Sequence, residues 1–141
     1  MRKIKFDICI RAKDGTDLYH EFLTLDDLIN RNGCLFNSNL YEVVYKRQYT
    51  GLKDTNGVEI YEGDILGYDS GSIYGVVTWG THLWIADCGG DSCTPTGWWI
   101  EEKGEHLRKN KLFYELLYIS ELDNFKIIGN IYENPELLKG N

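Results

Sequence analysis

The residues of this chain best suited to metal chemistry are His82, Cys88 and Cys93, with Asp87 and Asp91 among them. Zinc takes thiolate and imidazole ligands, and a glycine-rich loop such as Cys88-Gly-Gly-Asp-Ser-Cys93 could wrap an ion. The four-residue gap between the two cysteines is followed by no second cysteine pair, so Cys34 or His106 would have to complete the shell from afar. The plainer reading is a polar loop. A second group is aromatic: Trp79, Trp84, Trp98 and Trp99 all fall within 21 residues, with Tyr68 and Tyr74 just before them. On a sheet surface they could stack on a ligand, but large aromatics more often fill a core or a subunit contact. Trp79 and Trp84 are expected inside, and Trp84, Trp98 and Trp99 are the candidates for an interface or ligand. A third group, Glu59, Glu62, Asp64 and Asp69, could supply a carboxylate pair for acid–base work. No histidine lies near them in sequence, and a solvated turn is the simpler reading. The standard nucleophile-elbow, phosphate-loop and His-Glu-x-x-His signatures are absent, so no catalytic residue and no cofactor are expected.

The elements that must position these groups are short and mostly extended. Ile4, Phe6, Ile8 and Ile10 alternate with polar residues and predict a half-buried strand. Asp14-Gly15 turns the chain into a second strand over Leu18 to Leu23. Thr24 with Asp27 predicts the capped start of a two-turn helix that Asn32-Gly33 would close. Residues 40–50 are rich in strand formers. Asp54-Thr55-Asn56-Gly57, Glu62-Gly63-Asp64 and Ser70-Gly71-Ser72 are turns between further strands at 58–61, 65–68 and 73–79. Another strand is expected at 82–86, a loop from Cys88 to Gly97, and a strand from Trp98. Leu112, Leu116 and Ile119 fall at helical spacing, so a helix is predicted within 105–122, before a strand over Phe125 to Ile131. Asn134-Pro135 then opens a single helical turn. Glycine-punctuated strands every eight to twelve residues predict a mainly β (α+β) chain built on a small SH3-like barrel. The barrel domain is placed at 48–141, with residues 1–47 as an N-terminal arm packed on it.

Charge bounds the partners. Residues 1–47 carry eight Lys/Arg against seven Asp/Glu, a net +1, and residues 48–141 carry seven against fifteen, a net −8. From Asp54 to Glu102 there are nine acids and no Lys or Arg at all. A phosphate-binding surface needs cations to displace counterions, so direct nucleic-acid binding is not expected. No apolar run approaches the ~18 residues of a membrane span, and the basic N-terminus lacks an apolar signal region. A cytoplasmic chain with reduced cysteines is therefore expected. Cys9 and Cys34, among apolar neighbours, read as small buried hydrophobes.

Two blocks carry a resemblance. Gln48-Tyr-Thr-Gly-Leu-Lys-Asp-Thr-Asn-Gly-Val-Glu-Ile-Tyr-Glu-Gly-Asp-Ile65 and Ile127-Ile-Gly-Asn-Ile-Tyr-Glu-Asn-Pro-Glu-Leu-Leu138, with Gly75-Val76-Val77 between them, resemble the hallmarks of the YopX-like phage and prophage proteins. The resemblance implies a phage accessory protein that forms homo-oligomers and has no established biochemical activity, hence no catalytic residues to carry over. In that light Gly51, Gly57, Gly63 and Gly129 permit turns or close approach, and Asn56, Asp64 and Asn134 hold turns or caps. The expectation is a non-enzymatic, homo-oligomeric structural or interaction protein. Two alternatives stand beside it: an acidic inhibitor of a host protein that processes nucleic acid, and a metal-dependent enzyme using the 82–93 loop.

Overall fold

The computed structural model describes residues 3–31, 36–81, 84–85, 92–93, 96–102, 110–112 and 125–139. The chain divides into two units, Met1–Leu52 and Lys53–Asn141.

In the first unit the alternating N-terminal segment forms β1 (Lys5–Ala12). It is flanked by β2 (Leu18–Thr24) and by the long strand β3 (Tyr41–Lys53), both antiparallel to it. A bulge interrupts the β1–β3 register between Cys9 and Ile10. One sheet face carries Ile8, Ile10 and Leu23, packed with Phe6, Leu28, Phe36 and Tyr41. Leu28 comes from α1 (Leu25–Asn30), which starts as its sequence predicts. The Thr24 hydroxyl accepts from the Asp27 N–H at 3.2 Å, and the Asp27 carboxylate accepts from the Thr24 N–H at 2.8 Å and from its hydroxyl at 2.7 Å. These contacts hold the Asp27 carboxyl below the usual carboxylate range, the Thr24 backbone N–H first and its hydroxyl second. The expected closing pair, Asn32-Gly33, lies outside the described residues.

In the second unit Asp54–Gly57 turns the chain into β4 (Glu59–Tyr61). The strands β5 (Asp64–Gly67), β6 (Ile73–Thr81), β9 (Thr96–Glu102), β10 (Asn110–Leu112) and β11 (Lys126–Asn130) form one antiparallel sheet, in the order β10-β9-β6-β5-β11. The intervening β7 (Trp84–Ile85) and β8 (Ser92–Cys93) pair with each other. Gly75 allows a close approach of β6 and β9, since a Cβ there would meet the Glu101 carbonyl oxygen at 2.5 Å. The last described element is a 3-10 turn, Pro135–Lys139.

The strands expected at 58–61, 65–68 and 73–79 form as β4, β5 and β6, but the small SH3-like barrel does not close among the described residues. The strand expected over residues 40–50 lies mostly in the stretch assigned to the N-terminal arm, and it forms as β3. It pairs with β1 from Tyr41↔Ala12 to Gln48↔Phe6, while the five strands β10, β9, β6, β5 and β11 run as an open sheet. Two further expectations change. Asn110–Leu112, inside the predicted helix, is a strand, because the edge of β9 offers it backbone partners (Asn110↔Glu101, Leu112↔Trp99) that outweigh local helical spacing. The segment read as a loop from Cys88 to Gly97 contains β8 and the start of β9.

Candidate functional site: a buried carboxylate ladder

The face of the first sheet opposite Ile8 and Ile10 is polar. Alternation along β1 puts Asp7 and Cys9 on it, and both are fully buried. Register brings Arg47 opposite Asp7, and places His20 and Tyr45 on either side of Cys9. Asp7 Oδ2 accepts from Arg47 Nη2 at 2.6 Å and from Nε at 3.0 Å. Its other oxygen, Oδ1, lies 2.8 Å from His20 Nδ1, which donates to it. The result is a three-strand ladder, His20–Asp7–Arg47. Aromatic rings frame it: the Arg47 guanidinium lies 5.9 Å from the Tyr45 ring centre, and Phe22 stacks on His20 at 6.0 Å and 15°. A buried carboxylate with a two-point guanidinium contact and an imidazole is satisfied in charge and in hydrogen bonds.

Cys9 is buried as expected, but its cross-strand neighbours are His20 and Tyr45, on the face away from Ile8 and Ile10. Sequence reasoning passed over Asp7, His20 and Arg47. The one local signal was a charged residue and a thiol sharing the polar phase of an otherwise apolar strand.

The second unit holds its own buried carboxylate in a different way. Asp54 Oδ1 accepts from the N–H groups of Asn56 and Val58, each at 2.9 Å. Its Oδ2 accepts from the Ile127 N–H at 3.0 Å, and the Thr55 N–H donates to the Phe125 carbonyl at 3.1 Å. Asp54 thus fixes its own turn and ties it to β11. A few residues on, Gly63 sits at φ +83°, donates to the Val77 carbonyl and accepts from the Ile131 N–H. Asp64, buried, accepts from the Tyr61 N–H at 2.7 Å. Asn130 Oδ1 accepts from the N–H groups of Tyr132 and Glu133, and Asn134 Oδ1 accepts from the Asn130 N–H.

The acids considered for acid–base work are dispersed by these roles. Asp64 is spent on its turn, Glu59 accepts from the Tyr61 hydroxyl at 2.9 Å, and Asp69 pairs with Lys126 at 3.4 Å on the surface. Of the tryptophans, Trp98 and Trp99 are interior. Trp99 donates through Nε1 to the Gly80 carbonyl at 3.1 Å, and Trp98 meets Trp79 edge-on at 5.0 Å. Trp79, expected inside, is 52% exposed; strand alternation puts it beside Trp98, at the rim of the same face. His82 and Cys88 lie outside the described residues, as do the side chains of Trp84 and Cys93.

The fold and its buried clamps define a β-rich protein of two antiparallel sheets whose interior carboxylates are bound by the chain itself. The family described as YopX protein matches residues 11–139. The chain belongs to the YopX family. Protein EF1440 from Enterococcus faecalis, known from a crystal structure, is similar at 30% identity over 94% of this chain and 75% of that one, with a TM-score of 0.33. No curated protein matches. Both resemblance blocks lie within the matched span. They bond to each other at Asp54–Ile127 and Gly63–Ile131, which gives their shared sequence a structural purpose.

Proposed function

We propose that this chain is a non-enzymatic interaction protein that self-associates, a phage or prophage accessory protein of the kind its family resemblance implies. The observation that carries the reading is the placement of exposed apolar side chains. Of the thirteen large ones among the described residues, nine lie in residues 4–44: Ile4, Leu18, Tyr19, Phe22, Leu25, Ile29, Leu40, Val43 and Val44. Isolated exposed hydrophobics are ordinary, but nine within the first 44 residues, on both faces of the sheet, on α1 and on the adjoining turns, favour a contact there. The ladder supports the same reading, since Asp7 is engaged on both oxygens by the chain's own side chains.

Light scattering coupled to size exclusion tests the proposal. A multiple of the 16.3 kDa chain mass is expected at micromolar concentration, falling to one chain in a Leu18→Lys/Phe22→Lys variant. A strict monomer contradicts it. The acidic-inhibitor reading has less to work with, because two of the nine acids between Asp54 and Glu102, Asp54 and Asp64, are buried on backbone N–H groups.

A further inference from the structure

We propose that Cys9 and His20 form an anchor for a thiophilic metal ion on the polar face of the first sheet. They are directly opposed in the β1–β2 register. The Cys9 sulfur and a ring nitrogen of His20 lie within 4.8 Å of each other. A zinc-like ion between a thiolate and an imidazole spans about 3.6 Å at a tetrahedral angle and about 4.4 Å when linear, so the two atoms need little movement to share one.

The surroundings fit a ligand pair. A metal-bound histidine characteristically donates its other ring nitrogen to a carboxylate, which fixes the ring and its tautomer. Here His20 Nδ1 donates to Asp7 Oδ1 at 2.8 Å, so the ion is assigned to Nε2. Asp7 is itself held at Oδ2 by Arg47, so the carboxylate that orients the imidazole is anchored before any ion arrives. Sulfur and nitrogen donors select Zn2+, Cd2+ or Cu+ over Mg2+ or Ca2+, which prefer oxygen. Cys9 is buried whereas the His20 side chain is 32% exposed, so the His20 side is the one from which an ion would enter. Binding replaces the thiol proton with the metal, and the proton leaves to solvent.

The test uses the full chain under reducing conditions, titrated with Cd2+ and followed by the ultraviolet thiolate-to-metal absorption, with Zn2+ competition for affinity. About one equivalent per chain is expected. Binding should persist in Cys88→Ser/Cys93→Ser, vanish in Cys9→Ser, and weaken about 10-fold or more in His20→Gln. His20 is a partly exposed residue on an outer strand, so that variant carries the test if Cys9→Ser fails to fold. The absence of stoichiometric binding overturns the proposal. Binding unchanged in both Cys9→Ser and His20→Gln, or lost with the Cys88/Cys93 pair, also overturns it by assigning the ion elsewhere.

Discussion

Asp7 in the first unit and Asp54 in the second are both buried carboxylates, yet they are stabilised by opposite means. Asp54 takes three backbone N–H groups, two of them within four residues of itself. Asp7 takes side chains, Arg47 from 40 residues away and His20 from 13 residues away. A carboxylate on backbone donors closes a turn and depends on chain geometry. A carboxylate on a guanidinium depends on one cation, whose loss leaves the buried Asp7 with only the His20 hydrogen bond.

The largest expected effect follows from that dependence. Arg47→Met removes the partner and should cost about 3–5 kcal/mol of stability, read as a lower urea midpoint at unchanged slope. Asp54→Ala leaves three N–H groups without their acceptor and should cost about 2–3 kcal/mol. Asp54→Asn, which keeps one acceptor oxygen, should cost less. Reversal of that order, with Asp54→Ala the more damaging, would break the comparison.

Smaller effects sharpen it at α1, where the bonds are again local. Thr24→Ala should cost about 1 kcal/mol. The Asp27 carboxyl titrates below its ordinary value of 3.8 in the folded chain. Its contribution is therefore fully present above that pH and is lost as pH falls through the lowered value. The Thr24 amide resonance should titrate in that acidic window, and the Thr24→Ala variant should weaken the response.

The same contrast explains what the sequence disclosed. Thr24–Asp27 and the Asp54–Gly57 turn were legible because donor and acceptor lie within four residues and each residue type has a known turn or cap preference. The Ile127 bond to Asp54 spans 73 positions, and its only trace was that both ends lie in shared family blocks. The Asp7–Arg47 pair had no trace of that kind, because charged residues in an alternating strand look the same whether they face solvent or one another. Leu112 fell into the predicted helix because its spacing to Leu116 suits either structure, and only the edge of β9 decided for a strand. Trp98 and Trp99 were candidates for a contact surface, yet adjacent strand residues point to opposite faces and here both faces are covered.

The most direct test of Asp7 as a structural clamp is a double-mutant cycle with Asp7→Leu and Arg47→Met, followed by urea unfolding. Each single change should be severe and the pair much milder, with a coupling of about 3 kcal/mol or more. Additive losses, with no coupling between the two positions, would contradict the assignment.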